Sequence, residues 1–520
     1  MEKKTGGPIR ILHVLGVLNM GGAESRIMDL YRHIDRSKVQ FDFLVHTALR
    51  EEAAPGKREA AGRMSEKEAN EPWRSENLMR VRPEEYFDRE VRALGGRIYA
   101  LPRFNGRNFF LYKKAAEAFF ASHGGWTAVE GHMTSTASVY LPIAQKSGVP
   151  VTVSHVRSAG VDAGLRGVAT RLLRAFLPRR ADYLLACSKE AGVAAYGRRA
   201  AADGRVTVVP NALEITAYRF DAAARRAARE RLGLPEEAFV LGHVGRFDAM
   251  KNHVFLVELL EKLCAGAKIV ERPTATEQET DTVLQNVGKE AASEQATDAA
   301  PQSDGAPRSA AGTGKEKRDF RLLLIGQGKL EPEIRARLAA AGLAERAIFA
   351  GQCSRQETAR LYQAMDCFVF PSFYEGVPGT VVEAQAAGLP CLLSDRITDE
   401  VCVSELTQRL PLGDAALWAG KVEEARRELY AGRPAAETAQ RAPASVQEEP
   451  EEARRAPASA QTGPKTAASV SAPDAETLRA ERSAQGLRAL RAAGFDIEAQ
   501  ARRLQSWYLE LAEKGTAARL

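Results

Sequence analysis

The stretch Asp366–Asp395, DCFVFPSFYEGVPGTVVEAQAAGLPCLLSD, constrains the fold more than any other part of the chain. Cys367–Phe370 is a short apolar run closed by Pro371, the pattern of a strand buried on both faces. A loop over Ser372–Val377 follows. Pro378 is suited to the first turn of a helix, where its missing N–H costs nothing. Gly379–Ala387 continues that helix, Gly388 ends it as a left-handed cap, and Leu389–Ser394 is the next apolar strand. Strand, loop, helix and strand make one βαβ unit, whose loop lies at the carboxyl edge of a parallel sheet, where such sheets bind ligands.

Glu375 lies in that loop and Glu383 in the first turns of the helix. Between them stand the unpaired N–H groups and positive dipole end of the helix, a ready site for phosphate. The arrangement suits a nucleotide-linked sugar, with the diphosphate on the helix N-terminus, one acid on ribose hydroxyls and the other on the sugar. An ordinary crossover whose acids complement the dipole gives the same pattern for either glutamate alone.

With FPSFYEG followed by E-A-Q-A-A-G-L-P, and seven residues between the glutamates, the chain resembles the retaining glycosyltransferases of family 4, whose fold is called GT-B. The resemblance is strongest to exopolysaccharide and capsule-type members. It covers most of the chain outside three polar segments. It implies two Rossmann-like α/β domains facing a cleft, with a C-terminal helix crossing back to the first. It also implies transfer of a sugar from a nucleotide-sugar donor, UDP-linked, to a saccharide or polyprenyl-pyrophosphate-linked acceptor in cell-surface polysaccharide synthesis.

Composition is compatible with this and excludes other classes. A length of 520 residues predicts at least two domains. Net charge is +6, from 73 basic and 67 acidic residues, which argues against a nucleic-acid binder. Six scattered cysteines with no C-x-x-C pair indicate a reduced, cytoplasmic protein without zinc or disulfides. Lys3-Lys4 before Ile9–Leu18 mimics a signal peptide, but Arg10 and His13 interrupt it, and no apolar run reaches transmembrane length.

In chain order, Ile9–Leu15 reads as a strand and Gly21-Gly22 as a turn through which backbone N–H groups approach an anion. Gly-Gly-Ala-Glu in the resembling family lies near the donor diphosphate. His132 follows strand Thr127–Glu130, before a helix that Thr134 or Ser135 could cap. The family shows His-Gly-His there, and its second histidine faces the reacting sugar, a role the resemblance assigns to His132; Glu130 replaces the first histidine. Arg166–Arg180 is a basic amphipathic stretch, suited either to pack on the core or to meet anionic lipid. Pro210-Asn211-Ala212-Leu213-Glu214 matches the family's interdomain segment, with Glu214 in place of aspartate.

The second domain opens with strand Phe239–Gly245. Arg246 and Lys251, just after it, are cations that could neutralise a leaving diphosphate. The family's Gly-Arg-…-Lys-Asn pattern favours that role over two solvated cations. Gly326-Gln327-Gly328 is a close-approach turn, and Gly351-Gln352-Cys353 lies where the family holds the nucleotide base. The resemblance adds Gly376 and Val377 to the donor site. No D-x-D triplet occurs, so no metal or other cofactor is expected.

The expected boundaries are 1–213 for the acceptor-side domain (insertion 48–82) and 214–483 for the donor-binding domain (insertions 269–317 and 432–482), with returning helices over 484–520. The three insertions lack apolar periodicity and are expected to be dispensable. Two rival readings are a nucleotide-sugar epimerase of the same fold and a non-catalytic partner subunit that binds a nucleotide sugar.

Overall fold

The computed structural model describes residues 7–49, 71–157, 164–266, 318–431 and 474–517. They form two parallel sheets. The first contains β1 (Ile9–Val14), β2 (Val39–Thr47), β3 (Ile98–Pro102), β4 (Trp126–Gly131), β5 (Val151–Val156), β6 (Tyr183–Ala186) and β7 (Val206–Val208), in the order β3-β2-β1-β4-β5-β6-β7. The second contains β8 (Phe239–Val244), β9 (Phe320–Ile325), β10 (Ala347–Gly351), β11 (Cys367–Phe370), β12 (Cys391–Ser394) and β13 (Thr407–Leu410), in the order β10-β9-β8-β11-β12-β13. All pairings are parallel. These are the two expected Rossmann-like domains.

The order reverses between β1 and β4 in one sheet and between β8 and β11 in the other. At such a switch point successive crossovers leave on opposite faces, opening a crevice at the carboxyl edge. The loops after those four strands carry Gly21-Gly22, His132, Arg246 with Lys251, and Glu375. Apolar clusters cover both faces of each sheet. That double burial explains why the strands read as continuous apolar runs rather than alternating ones.

The helices Ala475–Ala492 and Ile497–Ala517 tie the domains together. Arg479 is buried in the second domain and donates to the carbonyls of Tyr362 (2.8 Å) and Ala387 (3.1 Å). At Gly486 a Cβ would stand 2.2 Å from the Gln385 carbonyl oxygen, so only glycine allows that helix to sit so close. The last helix returns to the first domain, burying Leu504, Tyr508 and Leu511 among residues of β1 and β2. The crossing is pinned at Leu213, whose N–H donates to Phe495 O and whose carbonyl accepts from Ile497 N.

Several local expectations are corrected. The sequence marks 48–82 as an insertion throughout, yet Ser75–Val81 is a helix with Leu78 buried, Trp73 is buried before it, and Arg82 is ion-paired with Asp88. Short alternating charges concealed a packed turn whose partners lie elsewhere in the chain. Residues 475–482, assigned to the third insertion, open a long helix that straddles the 483/484 boundary. The segment 269–317 lies outside the described residues, as do 50–70 and 432–473. Pro378 precedes its helix in extended conformation rather than occupying the first turn. Met133, not Thr134 or Ser135, occupies the cap position after His132, and Thr134 Oγ1 instead accepts from Arg174. The sequence does not mark strand β13, because three of the four residues of TQRL are polar and the strand lies at a sheet edge.

Gly388 is left-handed (φ 71°), as the sequence indicates, and Ser188 caps the helix Lys189–Ala202 by accepting from Ala191 N at 3.0 Å. Ser188→Ala is expected to destabilise the first domain by about 1 kcal/mol. Urea denaturation measures this, and an unchanged midpoint would mean the cap contributes nothing.

Candidate active site

The two glutamates occupy different surroundings. Glu375 sits in the loop after β11 and accepts from Lys251 Nζ at 2.6 Å. Lys251 ends a 3₁₀ turn begun by Asp248, whose carboxylate accepts from the Lys251 N–H, and its ammonium lies over the Phe370 ring at 4.6 Å. Asn252 follows with φ 53°, a left-handed conformation that asparagine tolerates, and donates to Pro371 O at 3.2 Å. These contacts lock the loops after β8 and β11 together. Arg246 is exposed and has no ion pair among the described residues.

Glu383 is buried one turn into the Gly379–Ala386 helix. Tyr362 OH donates to its Oε2 at 3.1 Å. Burial raises its pKa, and Arg26, Tyr362, Tyr218 and Arg355 partly offset that rise. Buried and flanked by these groups, the Glu383 carboxyl is placed to accept from hydroxyls.

The glycines divide into two kinds. A Cβ on Gly326 would lie 2.0 Å from Gly245 O, and one on Gly328 would lie 2.4 Å from Phe247 O. These two therefore serve the approach of the β9 loop to the Arg246 loop, a packing role that shapes the cation site. A Cβ on Gly22 or Gly376 would meet nothing within 4 Å, so packing does not demand glycine there. Open backbone of this kind is what a phosphate needs. At Gly21 the only crowding is the flexible Glu24 carboxylate. Val377 packs against the second domain's apolar cluster, and Gln352 is exposed, accepting from Gln327 Nε2 at 2.5 Å.

Sequence reasoning missed three arginines. Arg26, four residues past Gly22, reaches across to the second domain, where a Cβ on Gly379 would lie 3.3 Å from its Nη2. Arg355 pairs with Asp29 across the cleft at 2.5 Å. The available signal for Arg26 was its place one helical turn beyond the Gly-Gly pair; Arg355 carried none. Arg157, after β5, is half-buried, donates to Asn211 Oδ1 at 3.3 Å, and approaches His132 Nδ1 at 3.5 Å. Burial lowers its pKa, opposed by Glu130 and reinforced by Arg26. Two further contacts close the cleft: Glu400 accepts from Lys189 N and Glu190 N, and Tyr374 OH donates to Glu190.

His132 lies past β4 as expected, but its imidazole turns into the protein, with the side chain 1% exposed. Nε2 stands 3.0 Å from His13 Nδ1 and 3.6 Å from Glu130 Oε1. His13, Glu130 and His132 form the one group among the described residues with metal-donor spacing. The two rings lie within 15° of parallel with centroids 5.3 Å apart, an end-to-end arrangement across one hydrogen. The two facing nitrogens meet head-on at hydrogen-bond distance instead of converging on a third point, so the pair fits a shared proton better than an ion.

Residues 306–427 match the model of the family described as glycosyl transferases group 1. With two Rossmann-like domains meeting at their switch points, this defines the class: the chain is a glycosyltransferase with a GT-B-like fold. It is 28% identical over 430 residues to "Putative glycosyltransferase EpsF" of Bacillus subtilis, covering 82% of this chain and 89% of that one. Among solved structures it resembles Anabaena Alr3699/HepE in complex with UDP (TM-score 0.56, 13% identity, 97% of this chain and 100% of that one). It also resembles sucrose-phosphate synthase from Thermosynechococcus elongatus (TM-score 0.56, 15% identity, 97% and 99%).

Proposed function

We propose that this enzyme transfers a glycosyl group from a UDP-sugar to a saccharide or lipid-linked saccharide acceptor in cell-surface polysaccharide synthesis, retaining anomeric configuration. The observation that carries this reading is the 2.6 Å Lys251–Glu375 contact beside exposed Arg246, which joins residues more than a hundred positions apart. It brings two cations next to an acid at one switch point, which supports reading them as leaving-group cations and a sugar-binding acid. The UDP and UDP-glucose bound to HepE support the choice of donor.

Glu383 holds ribose hydroxyls, the Gly379 helix N-terminus with Gly22 and Gly376 takes the diphosphate, and Arg246 and Lys251 meet its growing charge. The acceptor enters from the first domain beside His132. Departing phosphate oxygen assists deprotonation of the acceptor hydroxyl, so no protein nucleophile is needed. The test is a panel of UDP-sugars incubated with and without acceptor. Acceptor-dependent UDP release supports transfer, a rearranged donor without release indicates an epimerase, and binding alone indicates a non-catalytic subunit. Activity is expected to survive a metal chelator; loss restored by a divalent ion would overturn metal independence.

A lipid-linked acceptor fits the helix Gly164–Arg174 and the turn after it. No described helix is long and apolar enough to cross a membrane. Val168, Leu172 and Phe176, spaced one turn apart, are 49%, 63% and 48% exposed, while Leu177 alone anchors the turn in the core. Exposed Arg171 and Arg179 fringe them, each worth about 1 kcal/mol at an anionic surface. Arg174 instead donates to Thr134 and Arg180 to Ser138 O. The protein is expected to sediment with anionic but not neutral vesicles, and less so after Arg171→Gln with Arg179→Gln. Indifference to anionic vesicles at low salt would remove peripheral membrane association.

A further inference from the structure

Glu130, the residue that departs from the family's paired-histidine pattern, sits in a network drawn from four separate parts of the chain. Its carboxylate is buried; Oε2 accepts from Tyr508 OH at 2.5 Å and Oε1 from His155 Nδ1 at 2.7 Å. Burial favours the neutral acid, the hydrogen bond from His155 opposes it, and the carboxyl is held well below the usual carboxylate range. The rings themselves stay neutral, because burial holds His13 and His155 at about 4 and His132 well below its usual value.

These contacts place the protons. His155 Nδ1 faces a carboxylate and therefore carries hydrogen. A guanidinium can only donate, so the Arg157 Nε–H makes His132 Nδ1 an acceptor. A neutral His132 then bears its proton on Nε2, directed at His13 Nδ1 and toward Glu130 Oε1. The tautomer of a histidine is set by what its other nitrogen meets.

We propose that Glu130, oriented by Tyr508 of the returning C-terminal helix, is a positioning residue that holds His132 in its neutral, Nε2-protonated form with Nδ1 turned to Arg157. The helix that crosses back from the second domain thus completes the acceptor side of the site as well as tying the domains. Buried carboxylates are costly unless their hydrogen bonds are satisfied, and Tyr508 supplies the one that β4 and β5 do not. Glu130 acts on the reaction through His132 and touches no substrate.

The consequence for activity rests on the transferase reading; the tautomer does not. Imidazole ¹⁵N spectra of the full-length protein, with His132 assigned by His132→Ala, are expected to show Nε2–H in the wild type and a mixed tautomer in Glu130→Gln. Glu130→Gln is expected to lower kcat by about 10-fold or more with donor KM within about twofold, and to have no further effect in a His132→Ala background. Tyr508→Phe removes a single oxygen and is expected to shift both readouts less in the same direction, which keeps the test decisive if Glu130→Gln does not fold. An Nδ1–H tautomer in the wild type would overturn the proposal. So would equal losses with and without His132, or a folded Glu130→Gln or Tyr508→Phe with wild-type tautomer and kcat. If the wild type transfers no sugar, the functional reading fails while the tautomer assignment still stands or falls on the spectra.

Discussion

Lys251→Ala is expected to lower turnover by about 10²–10³-fold while leaving donor affinity near that of the wild type. The reason is where charge grows. In the proposed ground state the diphosphate's charge would be spread over the helix N-terminus and backbone N–H groups, and Lys251 is paired with Glu375 at 2.6 Å. As the glycosidic bond breaks, the leaving oxygen gains charge and draws the ammonium toward itself. An interaction realised only in the transition state acts on kcat rather than KM. Arg246→Ala should behave similarly, because its guanidinium is exposed and no ion pair fixes it among the described residues. The check is steady-state kinetics beside isothermal titration with UDP. A Lys251→Ala enzyme with intact turnover and weakened donor binding would show that the lysine is only a ground-state contact.

The second large effect separates the two glutamates. Glu383→Ala should weaken UDP binding roughly 10- to 100-fold, since a hydrogen bond to a charged group is worth about 1.5–3 kcal/mol. Glu383 is buried and held by Tyr362 near Arg26 and Arg355, so it is organised before the nucleotide arrives. Glu375→Ala should leave UDP affinity nearly unchanged and abolish transfer, because on the proposed reading its loop holds the sugar, and its present partner is Lys251. Titration with UDP and with UDP-sugar distinguishes the two. Equal losses of UDP affinity would mean that both acids hold the nucleotide.

Much of the second domain's site was legible because its determinants are local. Glu375, Glu383, Gly388 and the strands around them fall within thirty residues, where hydrophobic runs, a proline and glycines mark each boundary. Arg246 and Lys251 were legible because a strand's carboxyl end is recognisable from its apolar run. Gly326 and Gly328 were recognised as close-approach residues, but the surface approached is the protein's own backbone at Gly245 and Phe247. The packed turn at Trp73 and Leu78 stayed hidden among charges, since its burial depends on partners distant in sequence.

The chain's own pattern determined that two parallel α/β units would form and that the second would carry paired acids and cations at its carboxyl edge. Periodicity, capping and turn chemistry are short-range and survive in a linear string. Only the tertiary structure decided what meets across the cleft: Arg26 reaching toward Gly379, Arg355 on Asp29, and Tyr508 on Glu130 across 378 positions. It also decided that the His132 ring turns inward and that Val168, Leu172 and Phe176 face outward. Such choices depend on which surfaces are left after two domains and a returning helix have packed, and no local pattern encodes that remainder.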